Sequence, residues 1–388
     1  MGAFALLLAV LSCAGLSQVA AGWLAVRRFA AAPGPAAGDR PPITILKPLH
    51  GAEPMLEQAL ASVCAQRYVT YQVVFGVQSA ADPALAVARR LRERFPACDI
   101  AVVVDAAAHG ENRKVGNLIN MFPTAKHDVL LIADSDVHCA PDFLERVAAT
   151  LALPGTGVVT TLYAGLAAGP SVVGRLGAAW ITHSFLPGAL VARWLGRQDC
   201  LGATMTLRRG TLASIGGLAA LADHLADDHV LGRLVQARGL AVRLAPTVPA
   251  TTVAEAALPA LFRHELRWAR TIRALAPVAF VLSALQYPLF WAAFAVIVSG
   301  MTDWAFTLFL FAWMVRAVAA RGIDHALGLA RAGLATPAPV WLLPLRDLMS
   351  MAVLLASLWS DRVEWRGQVL HASSPKGALE RVLGIERS

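Results

Sequence analysis

The sequence predicts an α/β protein in which a doubly wound, Rossmann-like domain lies between transmembrane helices at both ends of the chain. Three observations carry that expectation: an uncharged apolar N-terminus, short apolar runs alternating with amphipathic stretches, and renewed apolar segments near the C-terminus. Composition agrees. Hydrophobic residues make up 57% of the 388 and charged residues 15%, with mean hydropathy +0.56. Soluble domains are about a quarter charged, so part of this chain belongs in lipid.

Residues Gly2–Val26 carry no charge, and Arg27 and Arg28 follow at once. Roughly 20 such residues span a bilayer as a helix. In a cleaved signal the positive charge precedes the apolar core; here it follows. Residues 1–28 therefore read as an anchor, with the next domain in the cytoplasm. Residues 29–42, rich in Ala, Gly and Pro, read as a linker.

The pattern then changes. Ile43–Leu46, Gln72–Val77, Ile100–Val104, Val129–Ala133 and Val158–Thr161 are short apolar runs, partly β-branched. Between them lie the amphipathic stretches Met55–Gln66, Ala84–Phe95, Val115–Phe122 and Asp142–Leu153. Strands alternating with helices imply βαβ units and a parallel sheet, here over residues 43–270. Ligands of such sheets bind beyond the carboxyl ends of the strands.

Residues 271–360 are apolar again. Leu275–Ser299 and Trp304–Ala320 each suit a spanning helix, and the basic Arg321–Arg331 loop belongs inside. Val340–Trp359 contains Arg346 and Asp347, a charged pair that at membrane depth faces protein or water. That segment reads as a bent or re-entrant helix. The tail, 361–388, is basic (Arg362, Arg366, Lys376, Arg381, Arg387) and prefers the cytoplasm, which conflicts with a third full crossing. Ser171–Trp194 reads as amphipathic and interfacial, either as an anchor or as an entrance for an acceptor.

The net charge of +8 points to anionic lipid headgroups and a phosphorylated substrate. No run of Lys and Arg is interleaved with aromatics, so nucleic acid is not an expected partner. The five cysteines, Cys13, Cys64, Cys98, Cys139 and Cys200, form no CxxC pair. Reduced, buried thiols are expected, and neither a disulfide framework nor a zinc site.

The sharpest motif is Leu130-Leu131-Ile132-Ala133-Asp134-Ser135-Asp136. An apolar strand ends in two carboxylates that can project together at the crevice. Hard oxygen ligands suit Mg2+ or Mn2+, which completes its shell with substrate phosphates. Asp136 would meet the metal, and Asp134 the metal or a ribose; ordinary turn chemistry explains the same residues. Asp82, after the second strand, can accept hydrogen bonds from a base or ribose, or cap the helix that begins at Pro83-Ala84. Asn112-Arg113-Lys114-Val115-Gly116-Asn117 opens a helix and offers a cation and amides to phosphate or sugar; a solvated basic turn is the plainer reading. Asp227-Asp228 precede a helix. Adjacent carboxylates repel, so one can carry a raised pKa that suits a general base, or either can cap the helix. Arg267-Trp268, before the C-terminal apolar segments, can hold a diphosphate and pack a sugar or lipid, or form an interfacial belt.

In order, these pieces resemble the ceramide glucosyltransferase family, membrane glycosyltransferases of GT-A fold with a D, D, D, (Q/R)xxRW signature. Asp82, Asp134, Asp228 and Arg267-Trp268 stand at the signature positions, and Leu46-Lys47-Pro48-Leu49, Asn112–Leu118, Gly202–Arg208, Gly216-Gly217 and Trp365-Arg366 fit as well. His264 replaces the Gln/Arg. Residues 125–137 and 264–270 look closest to the bacterial hopanoid-biosynthesis members. The resemblance implies a metal-dependent inverting transfer of a sugar, N-acetylglucosamine from its UDP donor, onto a hopanoid polyol at the cytoplasmic face of a bacterial inner membrane. It implies Asp228 as base, Asp134 and Asp136 as metal ligands, and Lys47, Asp82, Asn112, Lys114, Asn117, Asp134, Arg267 and Trp268 at the nucleotide-sugar. The alternatives are a ceramide or other glycolipid glucosyltransferase using UDP-glucose, a processive polysaccharide synthase, and an inactive membrane scaffold.

Overall fold

The apolar runs of the middle region form strands in the computed structural model, which describes residues 2–36 and 38–360 in full and 362–365 and 368–371 by backbone alone. Arg366, Lys376, Arg381 and Arg387 lie outside the described residues, as do the side chains of Arg362 and Trp365. The strands are β1 (Ile43–Pro48), β2 (Tyr71–Val77), β3 (Asp99–Val104), β4 (Val129–Ala133), β5 (Val137–His138), β6 (Thr156–Thr160), β7 (Ala164–Ala167), β8 (Thr204–Arg208), β9 (Ala241–Leu244) and β10 (Ala250–Val253). Seven make one sheet in the order β3-β2-β1-β4-β8-β6-β9.

The expected parallel sheet is in fact mixed. Neighbours from β3 to β4 are parallel, but β8 runs antiparallel to both β4 and β6. Side chains of successive strand residues point to opposite faces, and the core divides accordingly. Ile43, Ile45, Val73, Phe75, Val129 and Leu131 pack on one face with helices Leu56–Cys64, Ala84–Arg94 and Phe143–Leu151. Leu46, Val74, Leu130 and Ile132 pack on the other with helices Arg113–Met121 and Asp227–Ala237. Both faces are covered, which is why these strands are near-continuous apolar runs.

Residues 32–164 and 196–254 make up this unit; residues 2–31, 165–195 and those from Glu255 to the end of the described chain make up another. The expected stretch 43–270 is thus shared between the two. In the second unit, Gly2–Ala31, Asp303–Leu327 and Val340–Ser357 are long and apolar enough to cross a membrane. The expected span Leu275–Ser299 is instead broken: Pro277–Gln286 and Pro288–Val298 meet at 65°. Each segment starts at a proline, which cannot donate to the preceding turn.

Val340–Ser357 is an unbroken helical stretch rather than a bent one. Its charges are buried and paired. Arg346 grips Glu265 with two 2.7 Å hydrogen bonds, and Arg316 lies 3.3 Å from Asp347. The Ser171–Trp194 region is helical and about half buried, with a π turn at Ile181–Phe185 ahead of Pro187. Cys64, Cys139 and Cys200 are buried free thiols; Cys13 is exposed and Cys98 half-buried.

Candidate active site

Register places the first candidate. Leu46 of β1 pairs with Ile132 of β4, so Lys47 lies level with the end of β4. Its side chain is fully buried. The ammonium donates to the carbonyls of Asp134 (2.8 Å), Val137 (3.0 Å) and Ser135 (3.4 Å). Burial pulls its pKa down while nearby acids oppose the shift. Lys47 was expected at the nucleotide-sugar; instead it is an internal strut that shapes the Asp134–Asp136 turn.

The turn presents its carboxylates differently. Asp134 is 38% exposed, and its Oδ1 lies 2.6 Å from Lys114 Nζ. Asp136 accepts a hydrogen bond from Thr251 Oγ1. Burial and then the Asp134 charge raise the Asp136 pKa, and a bound dication would favour the charged carboxylate instead. Ser135 Oγ donates to Glu53 at 2.5 Å. Among the described residues no group of three or more His, Cys, Asp or Glu could hold a metal. Two hard carboxylates with open positions nonetheless fit Mg2+ or Mn2+, which needs few protein ligands when phosphates supply the rest.

Antiparallel β8 brings a third acid to the same end of the sheet. Ala133 pairs with Thr204, and Asp134 N donates to Ala203 O (3.2 Å). At the next residue, Gly202, an added Cβ would stand 2.8 Å from Asp228 Oδ2. Asp228 thus fills the space that a side chain at 202 would take. It and Asp227 lie in the first turn of helix Asp227–Ala237, whose N-cap is Ala226 with no side-chain cap. Neither acid is the N-cap residue, although Asp228 Oδ1 accepts from the first-turn amide of His229 at 2.8 Å. Burial, then the Asp227 charge, push Asp228 up to about 7, against the pull of Lys114.

Lys114 also lies 3.6 Å from Asp227 Oδ2. Burial alone would lower its pKa, but Asp134 and Asp227 outweigh that and raise it. Asn112 and Asn117 were expected at the ligand; both are buried and hold backbone in place, and Asn117 Oδ1 is left without a partner. Asn112 Oδ1 caps its helix by accepting from Lys114 N and Val115 N, while its amide donates to His224 O. Asn117 donates to Gly76 O at 2.8 Å. Asp82 combines roles: it accepts from Ala84 N, as the capping reading expects, and both its oxygens accept from Gly51 N.

Arg267 and Trp268 belong to helix Leu258–Leu275 of the membrane unit. There Trp268 stacks on Trp180 with centroids 5.4 Å apart, and the His264 ring meets its edge at 4.4 Å. His264 Nδ1 is hydrogen-bonded to Glu255. The histidine that departs from the family signature thus braces the signature tryptophan. Gly202 was legible only through the resemblance; no local signal marks Thr251 or Glu53.

A mixed sheet with acids on the loops beyond β4 and before the following helix is the arrangement of a GT-A glycosyltransferase. The mannosyltransferase PcManGT from Pyrobaculum calidifontis, solved with GDP-Man and Mn2+, shares the fold: TM-score 0.51 at 18% identity, covering 92% of this chain and 99% of that one. The family model of Glycosyl transferase family 21 matches residues 5–378, and the chain belongs to that family. It is 23% identical over 252 residues to ceramide glucosyltransferase 1 of Caenorhabditis elegans, covering 63% of this chain and 53% of that one. It is 33% identical over 109 residues to the ceramide glucosyltransferase of Komagataella phaffii, covering 27% and 21%. The chain thus spans about half the length of the nematode relative.

Proposed function

We propose that this protein transfers a sugar from a nucleotide-sugar to a lipid hydroxyl, with inversion, at the cytoplasmic face of a bacterial inner membrane. The observation that carries the reading is Asp228: a half-buried carboxylate with a pKa of about 7, on the same rim as the Asp134–Asp136 turn. A base with that pKa is free at neutral pH yet basic enough to take a proton.

In this scheme the acceptor hydroxyl loses its proton to Asp228 as its oxygen attacks the anomeric carbon. The nucleoside diphosphate leaves from the opposite side. Lys114 stands ready to meet the charge that develops on it. Asp134 and Asp136 would hold Mg2+ or Mn2+, which when bound would supply Lewis-acid charge to a leaving diphosphate. Lys47 and Thr251 keep the two carboxylates in place, and Asp82 fixes the loop at Gly51. The family signature assigns Arg267 to the diphosphate and Trp268 to the sugar or lipid, and those assignments stay part of the proposal.

The finer reading, N-acetylglucosamine from a UDP donor to a hopanoid polyol, is supported by the resemblance of residues 125–137 and 264–270. The family and its ceramide glucosyltransferase relatives support a glucosylated sphingolipid product equally. Purified protein incubated with UDP-glucose or UDP-N-acetylglucosamine and hopanoid, ceramide or diacylglycerol acceptors decides among them by mass spectrometry of the lipid extract. Absence of a glycolipid from every combination sinks the proposal; a long glycan would replace it with a processive synthase.

A further inference from the structure

The chain enters the membrane unit at Glu255, soon after β10, the strand whose Thr251 holds Asp136. No sequence motif marks this acid. Its carboxylate is nevertheless hydrogen-bonded to His264 Nδ1, on helix Leu258–Leu275. The two side chains are 17% and 30% exposed, so the bond is partly sheltered from water.

Which atom carries the proton follows from charge. Burial alone would raise the Glu255 pKa, but the hydrogen bond and electrostatic pull of His264, with a smaller pull from Arg267, outweigh it and hold the carboxyl below its ordinary value. An ionised carboxylate only accepts, so Nδ1 bears the hydrogen in either charge state of the ring. One bond thus sets the rotation of the imidazole.

The imidazole in turn meets Trp268. Residues four apart share a helix face, and long helical side chains lean back towards the N-terminus, so the indole falls towards His264. The two ring centroids are 4.4 Å apart, with planes at 65°. Trp268 also stacks with Trp180 at 5.4 Å and 27°, and Trp180 stacks with Phe185 at 5.8 Å and 24°. Trp268 is the last ring of that stack, and His264 is the ring set across it.

We infer that Glu255 and His264 are positioning residues: the carboxylate fixes the imidazole, and the imidazole fixes the indole of Trp268 on the helical turn that also carries Arg267. The inference rests on the proposed function for the task of Arg267 and Trp268; the brace itself is a matter of geometry. A Gln or Arg at position 264 could also donate to Glu255. Histidine adds a ring against the indole, which gives the departure from the signature a physical purpose.

The test places 5-fluorotryptophan in the full chain in detergent, with the Trp268 fluorine resonance identified by its loss in Trp268→Phe. That resonance should move in both His264→Ala and Glu255→Ala. It should return towards its native position in His264→Gln, whose amide can still donate to Glu255. In the glycolipid assay each alanine variant should lose about two- to tenfold in turnover, the worth of one aromatic pair. The double variant Glu255→Ala/His264→Ala should lose no more than His264→Ala, because residues in one chain of support are not additive. A Trp268 resonance unmoved in either alanine variant, or losses that multiply in the double variant, would overturn the inference. Should the native protein make no glycolipid, the proposed function falls, while the resonance still decides whether the brace exists.

Discussion

Lys114 Nζ sits 2.6 Å from Asp134 Oδ1, which ties the start of helix Arg113–Met121 to the acid that follows β4. The same ammonium reaches Asp227 at 3.6 Å. One cation therefore serves an acid just after β4 and another in the first turn of helix Asp227–Ala237. Lys114→Met should leave these carboxylates to repel one another. A stability loss of about 1–3 kcal/mol is expected from the unpaired buried acid, measured by thermal unfolding in detergent. With the pull of Lys114 gone, the acidic limb of the pH profile should also move above pH 7.

Under the proposed function Asp228 sets that profile. A carboxylate whose pKa is raised to about 7 keeps its proton below that pH and cannot accept another. Turnover should therefore rise about tenfold per pH unit up to pH 7 and flatten above it. Asp228→Asn should lower turnover by about 10²–10⁴ while nucleotide-sugar binding, measured by calorimetry, persists. Near-normal turnover would move the role to Asp227.

Lys47 holds the backbone of the Asp134–Asp136 turn, so under the proposed function its loss would reach a metal on those carboxylates. Removing a residue that holds metal ligands typically costs about 10–100-fold in affinity. Lys47→Met should weaken Mn2+ binding to that extent in a paramagnetic-resonance titration made without substrate. Unchanged binding would reduce Lys47 to a packing role.

The buried Arg346–Glu265 pair makes a stability prediction for the membrane unit. Arg346→Met alone leaves a carboxylate unpaired and should cost about 3–5 kcal/mol. The double variant Arg346→Met/Glu265→Leu should recover much of that loss. Equal melting temperatures for the two variants would contradict a paired charge.

Much of this architecture is legible from pattern. β1, β2 and β4 are buried on both faces, so each reads as an apolar run with little alternation to confuse it, and edge strand β3, only partly buried, is apolar as well. β8 is different: Thr204-Met205-Thr206-Leu207 alternates polar and apolar residues, yet its threonines are buried too, so its polarity concealed a central strand. The broken span was written in Pro277 and Pro288, but hydropathy averages over prolines. At the site, the motifs named residues that the fold gathers at one end of the sheet, but they did not separate exposed carboxylates from buried struts. Crevice position and the family resemblance put Lys47, Asn112, Asn117 and Asp82 at the ligand. Three of them hold backbone in place and the fourth does so in part, a division that depends on burial rather than on composition.

The excursion between β7 and β8 has a practical corollary. Gly165–Leu195 belongs to the membrane unit, so trimming the two ends of the chain cannot yield a water-soluble glycosyltransferase core. A fragment running from Ala32 to Ala254 would still carry lipid-adapted helix in its middle and would aggregate unless that insert were also excised.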